Sequence, residues 1–347
     1  MKKKQLNRRQ LWRIQKMQNA FATRAEKEEV LSKEAFEEKA SGRKEQEGLE
    51  EQKGIVISNF GQQLDIEAIE GKNQGKIFRC YQRSNLDLLV AGDYVIWKEG
   101  DPDGVVVAAL PRENYLERPT GMGELKPVAA NIDQIIIVIA PAPEPFGNLV
   151  DRYLVAAEYY RIKPFLLLNK SDLITQENNA ALDKLLNIYR HVGYTVLTVG
   201  AKTGDNIDAL KTLLENRTSV FVGQSGVGKS ALVNTLLPKA NSLVGSLSAA
   251  RDKGKHTTTA ARLYHFPDGG DLIDSPGIRE FHLEHLDQST LLEGFVEFRP
   301  YLDQCKFRDC RHNKEPGCAL NLAVSENKIL QERMDSYRQI HRTLKPE

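Results

Sequence analysis

Long apolar runs are missing from this 347-residue sequence: the longest, "QIIIVIA" from Gln134 and "FLLL" from Phe165, are of strand length. A membrane-crossing helix needs ~20 such residues, so no transmembrane helix is expected. The opening stretch "MKKKQLNRRQLWRIQK" has neither an apolar core nor a small-residue cleavage site. It does not read as a secretory signal, and the expected location is cytoplasmic. Cysteine is sparse, and three of the four crowd between residues 305 and 318. That spacing points to metal ligands in a reducing compartment, not to a disulfide framework. Cys80 stands apart and is expected to be a small buried residue. Acidic residues are absent before Glu26, where eight Lys and Arg are interleaved with Trp12 and Phe21. The segment reads either as a solvated tail or as an arm that neutralises phosphates and stacks on bases. A formal net charge of +1 excludes a uniformly basic protein.

The length allows two or three domains. Residues 1–50 are charged, rich in Gln and poor in β-branched residues, the composition of a flexible extension. Residues 51–118 carry five short strand-like runs, "GIVISNF", "QLDIEAIE", "KIFRCYQ", "DYVIWKEG" and "GVVVAAL", separated by turn residues. Five strands in so short a span predict an OB-type barrel, a fold that commonly binds oligonucleotides. Lys76, Phe78, Arg79, Tyr81 and Arg83 are its candidate nucleic-acid contacts, and Phe78 or Tyr81 reads equally as core. Across residues 119–283 strand and helix patterns alternate, predicting an α/β domain with a parallel sheet covered by helices. Residues 284–347 predict a small, mainly helical domain around the Cys/His cluster.

"GQSGVGKS" follows the strand "SVFV" and precedes the helix "ALVNTLL", the context a phosphate-binding loop requires. The candidate cradle runs from Gly223 through Gln224, Ser225, Gly226, Val227, Gly228 and Lys229 to Ser230 and Ala231. Its glycines let backbone N–H groups face phosphate oxygens; Lys229 would reach the β and γ phosphates and Ser230 would supply a hydroxyl to magnesium. Base choice must come from elsewhere, and "NKSD" (Asn169, Lys170, Ser171, Asp172) ends the strand "PFLLL". A carboxylate at Asp172 can accept from N1–H and the 2-amino group of guanine, donors that adenine lacks there, so adenine would leave it unpaired. Asn169 would bond the purine edge or brace the loops, with the Lys170 stem along the base. "VGAKTG", with Gly200, Ala201 and Lys202 after a strand, reads as a second base loop or as a plain turn.

"LIDSPG" has the D-x-x-G spacing: Asp274 would hold magnesium through water and the Gly277 N–H would sense the γ phosphate. Between them and the phosphate loop, "RDKGKHTTTAARLY" reads as a mobile switch, with Thr258 chosen among Thr257, Thr258 and Thr259 as the magnesium ligand. The order is therefore base reader, second base loop, phosphate loop, switch, D-x-x-G: a GTPase set cyclically shifted. A parallel-sheet domain whose ends lie close together tolerates such a shift. After D-x-x-G, where many GTPases carry a water-orienting glutamine, stands Ile278; slow intrinsic hydrolysis is expected, with His256 the titratable substitute. Cys305, Cys310, His312 and Cys318 form C-x4-C-x-H-x5-C, a complete tetrahedral set that favours structural zinc. Lys306, Arg308, Arg311 and Lys314 make its surroundings basic.

With "NIDQIIIV", "NKSD", "GQSGVGKS", "HTTTAARLYHFP", "IDSPG", "GFVEF" and the Cys/His spacing, the chain from about Gly54 onward resembles the ribosome small-subunit-dependent GTPase A family, also called RsgA or YjeQ. The resemblance implies an OB domain, a circularly permuted GTPase domain and a zinc domain, with GTP, GDP, Mg2+ and one Zn2+ bound. It further implies a late assembly factor whose weak GTPase is stimulated by the small ribosomal subunit and its rRNA, and it makes His256 catalytic. A monomer is expected of a switch that docks on a large particle. Two other classes compete on the residues alone. An RNA-binding module without hydrolysis would not need Asp172, Lys229, Ser230 and Asp274 together, and a P-loop ATPase would lack NKSD.

Overall fold

Alternating burial builds the first five strands: β1 (Glu51–Asn59), β2 (Gln63–Ala68), β3 (Ile77–Gln82), β4 (Tyr94–Lys98) and β5 (Gly104–Ala109). In this computed structural model, which describes residues 50–119, 124–238, 261–274, 283 and 285–344, β1 pairs with β2, β2 with β3, β3 in parallel with β5, β5 with β4, and β4 again with β1. That closure is the expected five-stranded OB barrel. Leu64, Ile66, Val95 and Trp97 fill it, and Cys80 is buried among them. A separate antiparallel hairpin, β6 (Tyr115–Pro119) with β7 (Leu125–Ala130), follows. No strand was expected there, and both strands contain a proline, Pro119 and Pro127, a residue that disfavours regular strands. The boundary drawn at residues 118 and 119 falls inside β6.

The second region runs β8 (Gln134–Ile139), α1 (Gly147–Tyr159), β9 (Lys163–Leu168), α2 (Gln176–Val192), β10 (Val196–Thr198), α3 (Ile207–Leu214), β11 (Thr218–Val222), α4 (Lys229–Leu236), β12 (Arg262–His265) and β13 (Asp271–Asp274). Its strand order is β10-β9-β8-β11-β13-β12. Every residue of β8 is buried, because alternate side chains enter two cores: Ile135 and Ile137 pack with Val150, Leu154, Leu182 and Leu186, while Ile136 and Val138 pack with Leu210, Leu214, Leu232 and Leu236. Helices on both faces of the strands require that pattern. The ends of α2 are written locally: Thr175 and Asn178 form a capping box, and Gly193 closes the helix at φ 106°.

One strand departs from expectation. Arg262–His265, whose first three residues were read from the sequence as the tail of a switch, is β12, antiparallel to β13 in an otherwise parallel set. Its Arg262 also stands opposite Ser58 of β1, so barrel and central strands form one eleven-stranded sheet. Ile55 and Ile57 accordingly face the central core while Val56 between them faces the barrel core.

The C-terminal region holds α5 (Gln288–Gly294), a 3-10 turn (Val296–Tyr301), α6 (Ala319–Ser325) and α7 (Gln331–His341). Leu291, Phe295, Phe298, Met334, Tyr337 and Ile340 form its core together with Val155 and Ala156 of α1. Among the described residues no helix is long and apolar enough to cross a membrane.

Candidate functional site

The loop from β11 to α4 bends through three left-handed glycines: Gly223 (φ 137°), Gly226 (φ 88°) and Gly228 (φ 96°). Two of them also need the space. A Cβ at Gly223 would lie 2.1 Å from the Val138 carbonyl oxygen, and one at Gly228 would lie 2.3 Å from Asn169 Nδ2. The Lys229 ammonium folds back to donate to the carbonyls of Gly223 at 2.5 Å and Gln224 at 2.6 Å. Ser225, Gly226 and Ser230 are exposed, whereas Val227 is buried beneath the loop and Gln224 and Ala231 are half-buried. A lysine ammonium folded over a glycine-bent loop at a helix start has the form of a cradle for a polyanion.

Asn169 ties this cradle to the base-reading loops. Its side chain is buried; Nδ2 donates to the Val227 carbonyl at 3.0 Å and Oδ1 accepts from the Ala201 N–H at 3.2 Å. Of the two roles expected for Asn169, bracing is the one its contacts describe. The Lys170 ammonium donates to the Ala142 carbonyl at 2.7 Å, so the β8–α1 connection becomes part of the site. Ser171 donates its backbone N–H to Val199 O at 3.1 Å. Asp172 is exposed beside it, as is Lys202. Thr235 of α4 donates to the Ala201 carbonyl at 3.0 Å, closing the connection from phosphate loop to second base loop. Asp205 was missed in the sequence; it bonds the hydroxyls of Ser171 and Thr203. Its signal was a carboxylate following "GAKTG" directly.

Asp274 ends β13, opposite Arg262. His256, Thr258 and Gly277 lie outside the described residues. On the barrel, Phe78 packs on Trp97 with ring centroids 4.7 Å apart, so it belongs to the core. Arg79 lies over the exposed Phe60 ring at 4.9 Å, and the exposed Tyr81 accepts from Gln63 Nε2. Phe60 was not singled out in the sequence because it falls in the β1–β2 turn.

Cys305, Cys310, His312 and Cys318 bring their donor atoms within 4.8 Å of one another, a group among the described residues able to hold a metal ion. His312 Nδ1 lies 3.5 Å from the sulfurs of Cys305 and Cys318, which are 4.0 Å apart. Zinc with thiolate and imidazole ligands has tetrahedral edges of about 3.8 Å between sulfurs and about 3.5 Å from sulfur to nitrogen, so the set fits that ion. Burial, followed by the neighbouring thiols, pushes the Cys310 thiol up to about 12, and burial keeps His312 below the usual histidine range. A neutral imidazole among crowded thiols suits a thiophilic dication. The Ala319 N–H aims at the Cys305 sulfur at 3.3 Å.

The family model described as "RsgA GTPase" matches residues 109–284, just over half of the chain. The chain belongs to the RsgA GTPase family. It is therefore a GTPase, and the cyclic order of its motifs is the permutation of that family. It is 55% identical over 341 residues to the "Small ribosomal subunit biogenesis GTPase RsgA" of Pseudomonas fluorescens, covering 98% of this chain and 97% of the relative. The protein so named from Ectopseudomonas mendocina is 54% identical with the same coverage. Among solved structures, YjeQ from Thermotoga maritima is 30% identical with a TM-score of 0.70, covering 85% of this chain and 99% of that one. The crystal structure of YloQ, titled a circularly permuted GTPase, is 28% identical with a TM-score of 0.67, covering 88% and 100%.

Proposed function

We propose that this GTPase binds the small ribosomal subunit, acts late in its assembly in the cytoplasm as a monomer, hydrolyses GTP slowly alone, and is accelerated by the subunit so that hydrolysis times release. The buried Asn169 carries the nucleotide reading, because one amide joins the NKSD loop, the phosphate loop and the Ala201 loop. The relatives' names support the ribosomal part. In this reading Asp172 accepts from guanine, Lys170 flanks the base, and residues 223–231 cradle the phosphates with Lys229. Ser230, Thr258 and Asp274 hold magnesium, which when bound draws charge from the terminal phosphates. Gly277 senses the γ phosphate, and His256 orients the water that attacks phosphorus as the bond to the bridging oxygen breaks. The Phe60, Arg79 and Tyr81 surface and the basic surroundings of the zinc-binding Cys305, Cys310, His312 and Cys318 supply stacking and charge for rRNA.

Hydrolysis of GTP and of ATP by the purified protein, alone and with small subunits, large subunits or bare rRNA, tests this. Small subunits only should stimulate GTP turnover, and His256→Ala should lower the stimulated rate about a hundredfold. Equal slow hydrolysis under every condition would refute the ribosomal reading. Asp172→Asn should exchange preference for guanine for preference for xanthine nucleotides; unchanged GDP affinity would remove Asp172 from the site.

A further inference from the structure

The loop after β10 is fastened to NKSD through one carboxylate oxygen. Asp205 Oδ2 accepts from the Ser171 hydroxyl at 2.7 Å and from the Thr203 hydroxyl at 2.7 Å. The Asp205 carbonyl also receives the Gly200 N–H at 3.0 Å. Ser171 is thereby held twice, by its hydroxyl here and by its N–H on Val199, and it immediately precedes Asp172 in the chain. These hydroxyls hold the Asp205 carboxyl below the usual carboxylate range, Ser171 first. The group is an ionised, acceptor-only hub at neutral pH, and bonds to a charged acceptor are the stronger kind.

Gly200 explains why the hub can exist. Its φ is not left-handed, so the backbone conformation does not demand glycine. Space does: a Cβ at Gly200 would stand 2.1 Å from Thr203 Oγ1, 2.5 Å from Ser171 Oγ and 3.1 Å from Asp205 Oδ2. The volume that a side chain would fill is taken by the two hydroxyls and the carboxylate.

We infer that Asp205 is a positioning residue for base recognition: through Ser171 it fixes the direction of the Asp172 carboxylate and so sharpens the preference for purines bearing a 2-amino group. This rests on Asp172 being the base acceptor. A two-bond contact to the N1–H and 2-amino donors tolerates less misdirection than a single bond to N1–H. Loss of the hub therefore penalises guanine more than hypoxanthine.

Equilibrium titration with GDP, IDP and XDP in magnesium buffer, on the full chain, distinguishes the possibilities. Asp205→Ala should weaken GDP about tenfold and IDP about twofold, compressing the GDP/IDP ratio. Asp205→Asn, which retains the shape with a weaker acceptor, should fall between. Gly200→Ala should reproduce the compression by crowding the hydroxyls while leaving the carboxylate in place. Ser171→Ala combined with Asp205→Ala should cost little more than either alone, since both remove one connection. Equal losses for GDP and IDP would reduce Asp205 to loop packing and overturn the inference, as would unchanged GDP affinity. Asp172→Asn is the separate control. If it shifts preference to XDP while Asp205→Ala changes no ratio, only the positioning role fails; if it does not shift preference, the base-reading role fails and takes the inference with it.

Discussion

The central sheet is joined to the barrel through β12 and β1 and to the C-terminal region through α1, and the two seams differ in where they place charge. At the barrel seam the middle is apolar, with Ile55 and Ile57 in the central core, and the charge lies at the rim. There the half-exposed His265 bonds Asp271 at 2.6 Å and Glu67 at 2.8 Å. At the C-terminal seam the charge is in the middle. Arg333, 1% exposed, donates to Glu297 Oε1 at 2.5 Å, to Glu297 Oε2 at 3.1 Å and to Asp151 of α1, with its guanidinium 4.6 Å over the Phe295 ring. Burial pushes the Asp151 carboxyl above the usual range, opposed by Arg333 and by the Ser336 and Tyr189 hydroxyls. Water can replace a partner at a rim, so the geometry there is tolerant. In a dry centre each charge depends on its partner. The C-terminal region is thus committed to one placement on α1, the helix entered through the connection that Lys170 grips.

With zinc held by Cys305, Cys310, His312 and Cys318 as proposed, the largest effect should come from that metal. Removing it by chelation, or by Cys310→Ser, should release the C-terminal seam alone, on the order of 10 kcal/mol for a structural zinc, because Tyr337 lies near His312 on the helix that carries Arg333. Hydrogen exchange should then show α7 amides losing protection while β1 and β12 keep theirs; equal loss at β1 would mean that the seams are not independent. Next, Arg333→Ala should cost about 3–5 kcal/mol in urea unfolding at neutral pH, since it strands the buried Asp151 carboxylate and removes the partner of the partly buried Glu297. A cost below about 1 kcal/mol would place this triad with ordinary surface pairs.

His265→Gln should have the smallest effect, below about 1 kcal/mol after allowing for solvent screening at a half-exposed group. Its signature is in pH. Hydrogen bonding to Asp271 and then to Glu67 raises His265 to about 9 from an ordinary 6.5. A raised pKa means that the folded state holds the proton more tightly. The added stability is complete below about pH 6.5 and lost as pH rises through 9, so melting curves across that window should flatten in the variant. A slope unchanged by the substitution would assign the titration to another group.

Arg333 shows why the seams were hard to read in advance. Arg333, Met334, Tyr337 and Ile340 share the buried face of α7, so an arginine at that helical spacing was a legible hint. Its two acidic partners were not, lying 182 and 36 residues away in the chain. β12 was obscured for a similar reason: four residues carry little periodicity, and its pairing with Ser58 spans two domains.

What the sequence alone determined was chemistry confined to contiguous stretches: the phosphate loop, NKSD, the Cys/His spacing, the barrel's five strand runs and the cyclic order. Each needs only local spacing, because a few adjacent residues supply both the turn and the functional atoms. The tertiary structure alone decided that Asn169 braces two other loops, that Gly200 makes room for the Asp205 hub, and where each seam carries its charge. Those depend on contacts between distant segments, which form only when the buried cores bring them together and repay the entropy of closing long loops.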